Sequence, residues 1–299
     1  MPRDSKDEVL IDRRPLGRRE SKGVLFVVAT PIGNLDDITL RALKILKQVQ
    51  LVAAEDTRRT GILLRHFQIE TPILSVHEHN ERARTDRIVA RLAKGESVAL
   101  VTDAGTPGIS DPGAALVAAI RAAGFTVEPI PGASAVVAAI SASGITSHGF
   151  TFLGFPPVRG KARKKWFDAV AVGARHRLVV FFEAPHKLQK TLGELAYLVN
   201  RPIIVARELT KMHEEFVTGA PGELQGRFPE PYGEFTIMVP PQDPAEIDAS
   251  EVTDDQVVDL FGQITESGQF SSKRDAARSA GEQLGLTAKQ VYEILERNK

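Results

Sequence analysis

The sequence has no cysteine among its 299 residues. Disulfides, thiolate metal sites and a thiol nucleophile are excluded together, and nothing points to an oxidising compartment. An excess of one charge is also missing, since 38 Lys and Arg balance 38 Asp and Glu. Contact with a nucleic acid would therefore need a local basic patch. No apolar run approaches the ~20 residues that cross a bilayer. The first 22 residues carry both signs, from Arg3 and Asp4 to Arg19 and Glu20, and hold no apolar core of a signal peptide. They read as a solvated, disordered tail, with a basic arm as the competing reading. These absences predict a cytoplasmic protein without a membrane partner.

What is present alternates in a regular way. With 42% hydrophobic and 25% charged residues the composition is that of a globular chain, and its length suits two domains. Residues 24–30 form an apolar run ending at Pro31-Ile32-Gly33-Asn34, a buried strand entering a tight loop. Asp36 or Asp37 is then expected to cap a helix bearing Leu40, Leu43 and Leu46. Runs at 51–54, 98–102 and 126–130 repeat the pattern, so residues 23–145 predict a mainly parallel sheet with helices on both faces. The style changes near residue 149. Strands at 150–155, 178–182, 202–207, 214–218 and 235–239 are only partly separated by helices, which predicts a second α/β domain with a mixed sheet over 146–241. Pro240, Pro241 and Pro244 mark a linker. Residues 250–299 carry helix-start patterns at Thr253-x-x-Gln256, Ser272-x-x-Asp275 and Thr287-x-x-Gln290, with Gly285 between the last two helices. That shape is helix-turn-helix-like, a motif shared with ordinary helical hairpins.

Open parallel sheets bind ligands outside the carboxyl ends of their strands. Four such ends carry unusual loops: Pro31-Ile-Gly-Asn34, Glu55-Asp-Thr-Arg-Arg59, Asp103-Ala-Gly-Thr-Pro-Gly-Ile-Ser-Asp-Pro-Gly113 and Pro131-Gly-Ala-Ser134. Glycine and proline let the backbone approach a ligand and hold the loop in one shape. One such loop is an ordinary turn, whereas four at one edge point to a bound small molecule. None matches G-x-G-x-x-G or G-x-x-x-x-G-K-[ST], which removes the main support for NAD and ATP. A neutral-to-cationic, partly apolar ligand suits what remains, such as a nucleoside with a sulfonium tail. Asp103 either faces its positive charge or ribose hydroxyls, or caps its own turn. The seven histidines show no metal-ligand spacing, so no metal is expected.

The stretches Val28-Ala-Thr-Pro31-Ile-Gly-Asn-Leu35, Ala54-Glu-Asp-Thr-Arg58, Asp103-Ala-Gly-Thr-Pro-Gly108, Phe182-Glu-Ala-Pro-His186 and Ala206-Arg-Glu-Leu-Thr-Lys211 resemble the ribosomal RNA small subunit methyltransferase I family. That family lies in the tetrapyrrole methylase superfamily. The likeness runs from about residue 24 to 240 and continues more weakly from Lys273 to Tyr292. It departs from the family at Ala133 and Phe182. The resemblance implies two α/β domains of tetrapyrrole-methylase type with S-adenosylmethionine in the cleft between them, plus a small C-terminal helical unit. It implies 2′-O-methylation of a cytidine ribose in small-subunit (16S) ribosomal RNA near the decoding centre, with that RNA or the assembled 30S subunit as partner, and a homodimer. Carried over, Pro31 and Gly33 line the cofactor cleft. Asp103, Gly105, Thr106 and Ile109 contact its methionine part and ribose, Ser134 and Ala135 hold its carboxylate or ribose, and Phe182 and Ala184 flank the adenine.

A ribose hydroxyl needs a base as it attacks the methyl group. Glu55, Asp56, Glu183 and His186 are the candidates, with Asp56 and Glu183 preferred for catalysis. A helix-capping role competes for Asp56. For RNA, Arg159, Lys161, Arg163, Lys164 and Lys165 form a basic run followed by Trp166, which could stack on an unpaired base or belong to the core. Arg58, Arg59 and His186 are further RNA candidates, as are Lys211 and His213. Lys273, Arg274, Arg278 and Lys289 suit an accessory RNA contact or a dimerisation element. Two other readings stand beside this one: methylation of a tetrapyrrole or other small acceptor, and a non-catalytic RNA-binding assembly factor.

Overall fold

A computed structural model describes residues 22–77, 80–242, 252–266, 272–284 and 286–298. The readings of the N-terminal tail, Pro244 and Gly285 lie outside the described residues. The chain divides into two compact units, Met1–Ser134 and Ala135–Lys299.

In the first unit, β1 (Val24–Val28), β2 (Leu51–Ala54), β3 (Ile73–Ser75), β4 (Val98–Val101) and β5 (Thr126–Ile130) form a parallel sheet in the order β3-β2-β4-β1-β5. β2 and β4 are buried at every residue, as central parallel strands are. Alternate strand residues serve opposite faces. Phe26, Val28, Val52 and Ala54 pack with α1 (Leu40–Gln48) and α2 (Thr57–His66). Leu25, Leu51, Ala53 and Leu100 pack with α3 (Glu81–Ala93) and α4 (Ala114–Ala122). Two of the expected details change. The cap of α1 is Thr39, whose hydroxyl accepts from the Ala42 N–H, while Asp36 and Asp37 sit in a 3-10 turn capped by Asn34. The inward face of α1 is Ala42, Ile45 and Leu46, and Leu40 is exposed.

The second unit begins with α5 (Ala135–Ser143), a segment the sequence pattern groups with the first domain, which packs on β10. Its sheet is mixed, in the order β6-β7-β10-β8-β9, built from β6 (Phe150–Phe152), β7 (Leu178–Glu183), β8 (Ile203–Arg207), β9 (Glu215–Gly219) and β10 (Phe235–Val239). β6 and β7 are parallel and the other pairs antiparallel. One face is covered by α6 (Gly160–Gly173), α7 (Pro185–Ala196) and α8 (Pro221–Arg227), through Phe167, Leu188, Leu192 and Leu224 against Phe181, Val205 and Ile237. A fully buried leucine or phenylalanine of this kind contributes ~1.5–3 kcal/mol. Then α9 (Asp254–Glu266), α10 (Lys273–Leu284) and α11 (Ala288–Arg297) share a small core of Val257, Leu260, Ala277, Leu284 and Val291. α11 has the expected capping box between Thr287 and Gln290. The helical unit is tied back to the end of α6 where Arg177 donates to Gln263 at 2.6 Å. No helix among the described residues is long and apolar enough to cross a membrane.

Candidate active site

Because every strand of the first sheet runs the same way, all four strand-end loops emerge at one edge. β4 lies between β2 and β1, so the long loop after it, residues 102–113, has a neighbour on each side. Toward β1, the Thr30 N–H donates to Gly105 O at 2.8 Å and the Gly105 N–H to Thr30 O at 3.0 Å. Beyond it, the Thr106 hydroxyl donates to Ala133 O at 3.2 Å. Toward β2, the Asp56 N–H donates to Asp103 Oδ1 at 3.1 Å and the Asp103 N–H reaches Glu55 Oε2 at 3.5 Å. The long loop is thus stitched to the ends of three strands. Gly105 has φ +78°, and a Cβ there would stand 3.4 Å from Ile32 Cγ2 and 3.8 Å from Ala133 O. It is the left-handed backbone that favours glycine, since a Cβ there would make only ordinary contacts. At Gly132 a Cβ would stand 3.0 Å from Ala29 Cβ, so a side chain there would crowd the β5 loop against the end of β1.

The same stitching gathers acids. Burial, followed by the charges of Glu55 and Asp103, pushes the Asp111 carboxyl up to about 6. Burial and then Asp103 raise Glu55 as well, against the Asp103 N–H and the Arg59 charge. Arg59 Nε stands 3.6 Å from Asp103 Oδ2 and is mostly exposed, so it neutralises the group incompletely. Carboxyls held together and partly out of water favour a cation or hydroxyl donors beside them.

Comparison with known proteins decides whose edge this is. Residues 24–225 match the family described as Tetrapyrrole (Corrin/Porphyrin) Methylases. Ribosomal RNA small subunit methyltransferase I of Synechocystis sp. is 42% identical over 276 residues, 91% of this chain and 97% of that protein. Its namesake in Xylella fastidiosa is 44% identical over 276 residues, 90% and 98% of the two chains. This chain belongs to the ribosomal RNA small subunit methyltransferase I family. Among solved structures, diphthine synthase matches with a TM-score of 0.60 at 15% identity over 73% of this chain and 90% of that one. Cobalt precorrin-4 methyltransferase matches at 0.57 with 18% identity over 75% and 98%. At such identities the likeness is one of fold.

Members of this methyltransferase family use S-adenosylmethionine. The first unit's loops fit it, because a carboxyl cluster suits its positive charges and ribose hydroxyls while the bare backbone at Gly105 admits close approach. Of the residues expected at the cofactor, Pro31, Gly33, Asp103, Gly105, Thr106, Ile109 and Ser134 belong to these loops. Ala135 opens α5 in the second unit. Phe182 lies near the end of β7 there and Ala184 is the N-cap of α7, and the Phe182 ring packs 4.9 Å from Phe152 and 5.5 Å from the half-exposed Phe155. Asp111 was missed as a candidate. The available signal was its place as a second carboxylate inside the loop that starts at Asp103.

The two preferred bases differ. Asp56 is the N-cap of α2, with Oδ1 accepting from the Arg58 N–H at 2.8 Å, and is half-buried. Glu183 is buried, its Oε1 accepting from the Ala184 N–H at 2.8 Å and its Oε2 from the Thr191 hydroxyl. Both oxygens are occupied in anchoring α7. The basic run also divides. Arg163 is 4% exposed, donating to both Glu194 oxygens, Pro157 O and Thr191, and it stacks over Phe167. Expected on RNA, it is instead a strut between α6 and α7. Trp166 is half-buried against Phe167 and Phe181 with Nε1 donating to Leu153 O, so it belongs to the core. Lys161, Lys164 and Lys165 are exposed, and Lys164 pairs with Asp168 at 3.3 Å. Arg58 and His186 are exposed. Lys211, expected on RNA, is held by Glu208 at 2.8 Å and Glu234 at 3.2 Å.

Proposed function

We infer that this protein methylates the 2′-hydroxyl of a cytidine ribose in 16S ribosomal RNA near the decoding centre, using S-adenosylmethionine. The observation that carries this reading is kinship of 42–44% identity across 97–98% of relatives whose name states small-subunit ribosomal RNA as the methylated molecule.

S-adenosylmethionine supplies a methyl group already activated by its sulfonium. The chain's own residues then have two tasks, to hold the reactants in line and to receive a proton. Alignment is worth up to ~7–11 kcal/mol in ideal cases. In the first unit, Glu55, Asp103 and Asp111 hold the cationic and hydroxyl-bearing parts, with Gly105, Thr106, Ile109, Pro31, Gly33 and Ser134 shaping the wall. The Phe182 ring, backed by Phe152 and Phe155, suits a flat purine beside Ala184. Asp56 is the better base of the two, because Oδ2 has no partner among the described residues. Arg58, Lys161, Lys164, Lys165 and His186 supply exposed donors for RNA phosphates. The same reading puts the protein in the cytoplasm, acting as a homodimer on ribosomal RNA or the assembled 30S subunit.

The test is transfer of labelled methyl to small subunits and, separately, to their extracted RNA, followed by mapping of the product. Label at a cytidine ribose supports the reading. Cofactor binding with no label in either substrate sinks it and turns attention to a small acceptor.

A further inference from the structure

A surface groove of about 390 Å³ lies between α6 and α7, lined among others by Arg159, Lys164, Lys190, Glu194, Tyr197 and Leu198. It contains none of the residues given to the cofactor. Its free charge is one-sided. Glu194 is already paired with Arg163, and Asp168 with Lys164. Arg159 and Lys190 are exposed and make no ion pair among the described residues. At the end of α7, Tyr197 is 91% exposed, so its ring contributes almost nothing to the core. Beside it Leu198 is also exposed. A bare aromatic face in one groove with unpaired cations is the combination that binds single-stranded nucleic acid, with bases on the ring and phosphates on the cations.

We propose that this groove is a separate RNA-docking site, which stacks one unpaired base on Tyr197 and seats flanking phosphates on Arg159 and Lys190. It rests on the RNA-methylation reading for its partner. It also moves the stacking role from Trp166, which is spent in the core, to a residue far along the chain.

The test uses the full-length protein and a fluorescein-labelled single-stranded RNA oligonucleotide, with anisotropy read between about 50 and 200 mM KCl. Tyr197→Ala is expected to weaken binding about tenfold with no change in the salt slope, and Tyr197→Phe to bind as the wild type does. Lys190→Ala is expected to weaken binding and to reduce the log–log slope by about 0.7, one single-strand phosphate contact. Tyr197→Ala binding as tightly as the wild type, or an unchanged slope in Lys190→Ala, overturns the proposal. So does a photo-crosslinker at position 197 that labels a ribosomal protein and no RNA on intact subunits. Methyl transfer by the wild type to small subunits is measured alongside. If that fails, the functional reading falls, while the anisotropy still reports on the groove alone.

Discussion

Neutralising Asp111 should change how affinity for S-adenosylmethionine depends on pH. Burial and the charges of Glu55 and Asp103 push this carboxyl up to about 6. At pH 5 only about one molecule in eleven then carries the ionised form, against nearly all at pH 7.5. A cation bound beside the cluster needs the ionised form. Wild-type affinity is therefore expected to fall about tenfold from pH 7.5 to pH 5, or ~1.4 kcal/mol. Asp111→Asn should bind more weakly at pH 7.5 and keep only the small slope due to Glu55, which burial and the Asp103 charge raise. Stability moves the other way. The folded protein holds the Asp111 proton more tightly than the unfolded chain, so the wild type loses stability as pH rises from 3.8 to about 6. The Asn variant has no such proton and gains relative to the wild type through that window. Calorimetric titration of the cofactor and thermal melts across pH read both quantities. Affinity that is flat from pH 5 to 7.5, or an Asn variant with the full wild-type slope, would show that the cluster does not face the cofactor's positive charge.

Gly105→Ala places a side chain at φ +78°, so a stability loss of ~1–2 kcal/mol and weaker cofactor binding are expected; an unchanged melting temperature would count against the stitched loop. Arg163→Ala leaves Glu194 without its buried partner and should cost ~3–5 kcal/mol in denaturant unfolding. Lys165→Ala should instead leave stability within about 0.5 kcal/mol and make RNA binding less salt-dependent. Glu183→Gln is expected to lower stability by ~1–3 kcal/mol with turnover per folded molecule kept, whereas Asp56→Asn should cut kcat by ~10²–10⁴-fold. Turnover lost in the Glu183 variant at unchanged stability would reverse those two assignments.

Central strands were legible because burial on both sides demands unbroken apolar runs, as in β2 and β4, and because the loop after β4 is rich in glycine and proline. Two elements of the same unit were not. β3 is three residues long, and α3 buries only Ile88 and Leu92 along a charge-rich helix, so neither has enough periodicity to stand out. The split within the basic run was readable in principle. Arg163, Phe167 and Val170 recur at helical spacing and are the buried residues of α6, which puts Arg163 on the inner face and Lys164 and Lys165 outside. A count of charges hides that phase, while a helical wheel anchored on Phe167 exposes it. Tyr197 offers no such signal, since its importance depends on α6 and α7 meeting across some thirty residues of chain, as the pairing of Arg163 with Glu194 shows.

That contrast bears on where acceptor choice resides. Diphthine synthase and cobalt precorrin-4 methyltransferase share this fold at 15–18% identity, and their names give unlike products. The fold therefore cannot by itself select an acceptor. Selection must come from side chains that the fold leaves free to vary. In this chain the exposed cations of α6 and the groove against α7 are such side chains, because Arg163 and Trp166 already hold that region together and leave its surface unconstrained by packing. If so, a variant carrying Lys161, Lys165 and Lys190 all as alanine should keep its fold and its cofactor affinity while losing transfer to ribosomal RNA. Cofactor binding lost together with RNA methylation would place acceptor choice back in the loops of the first unit.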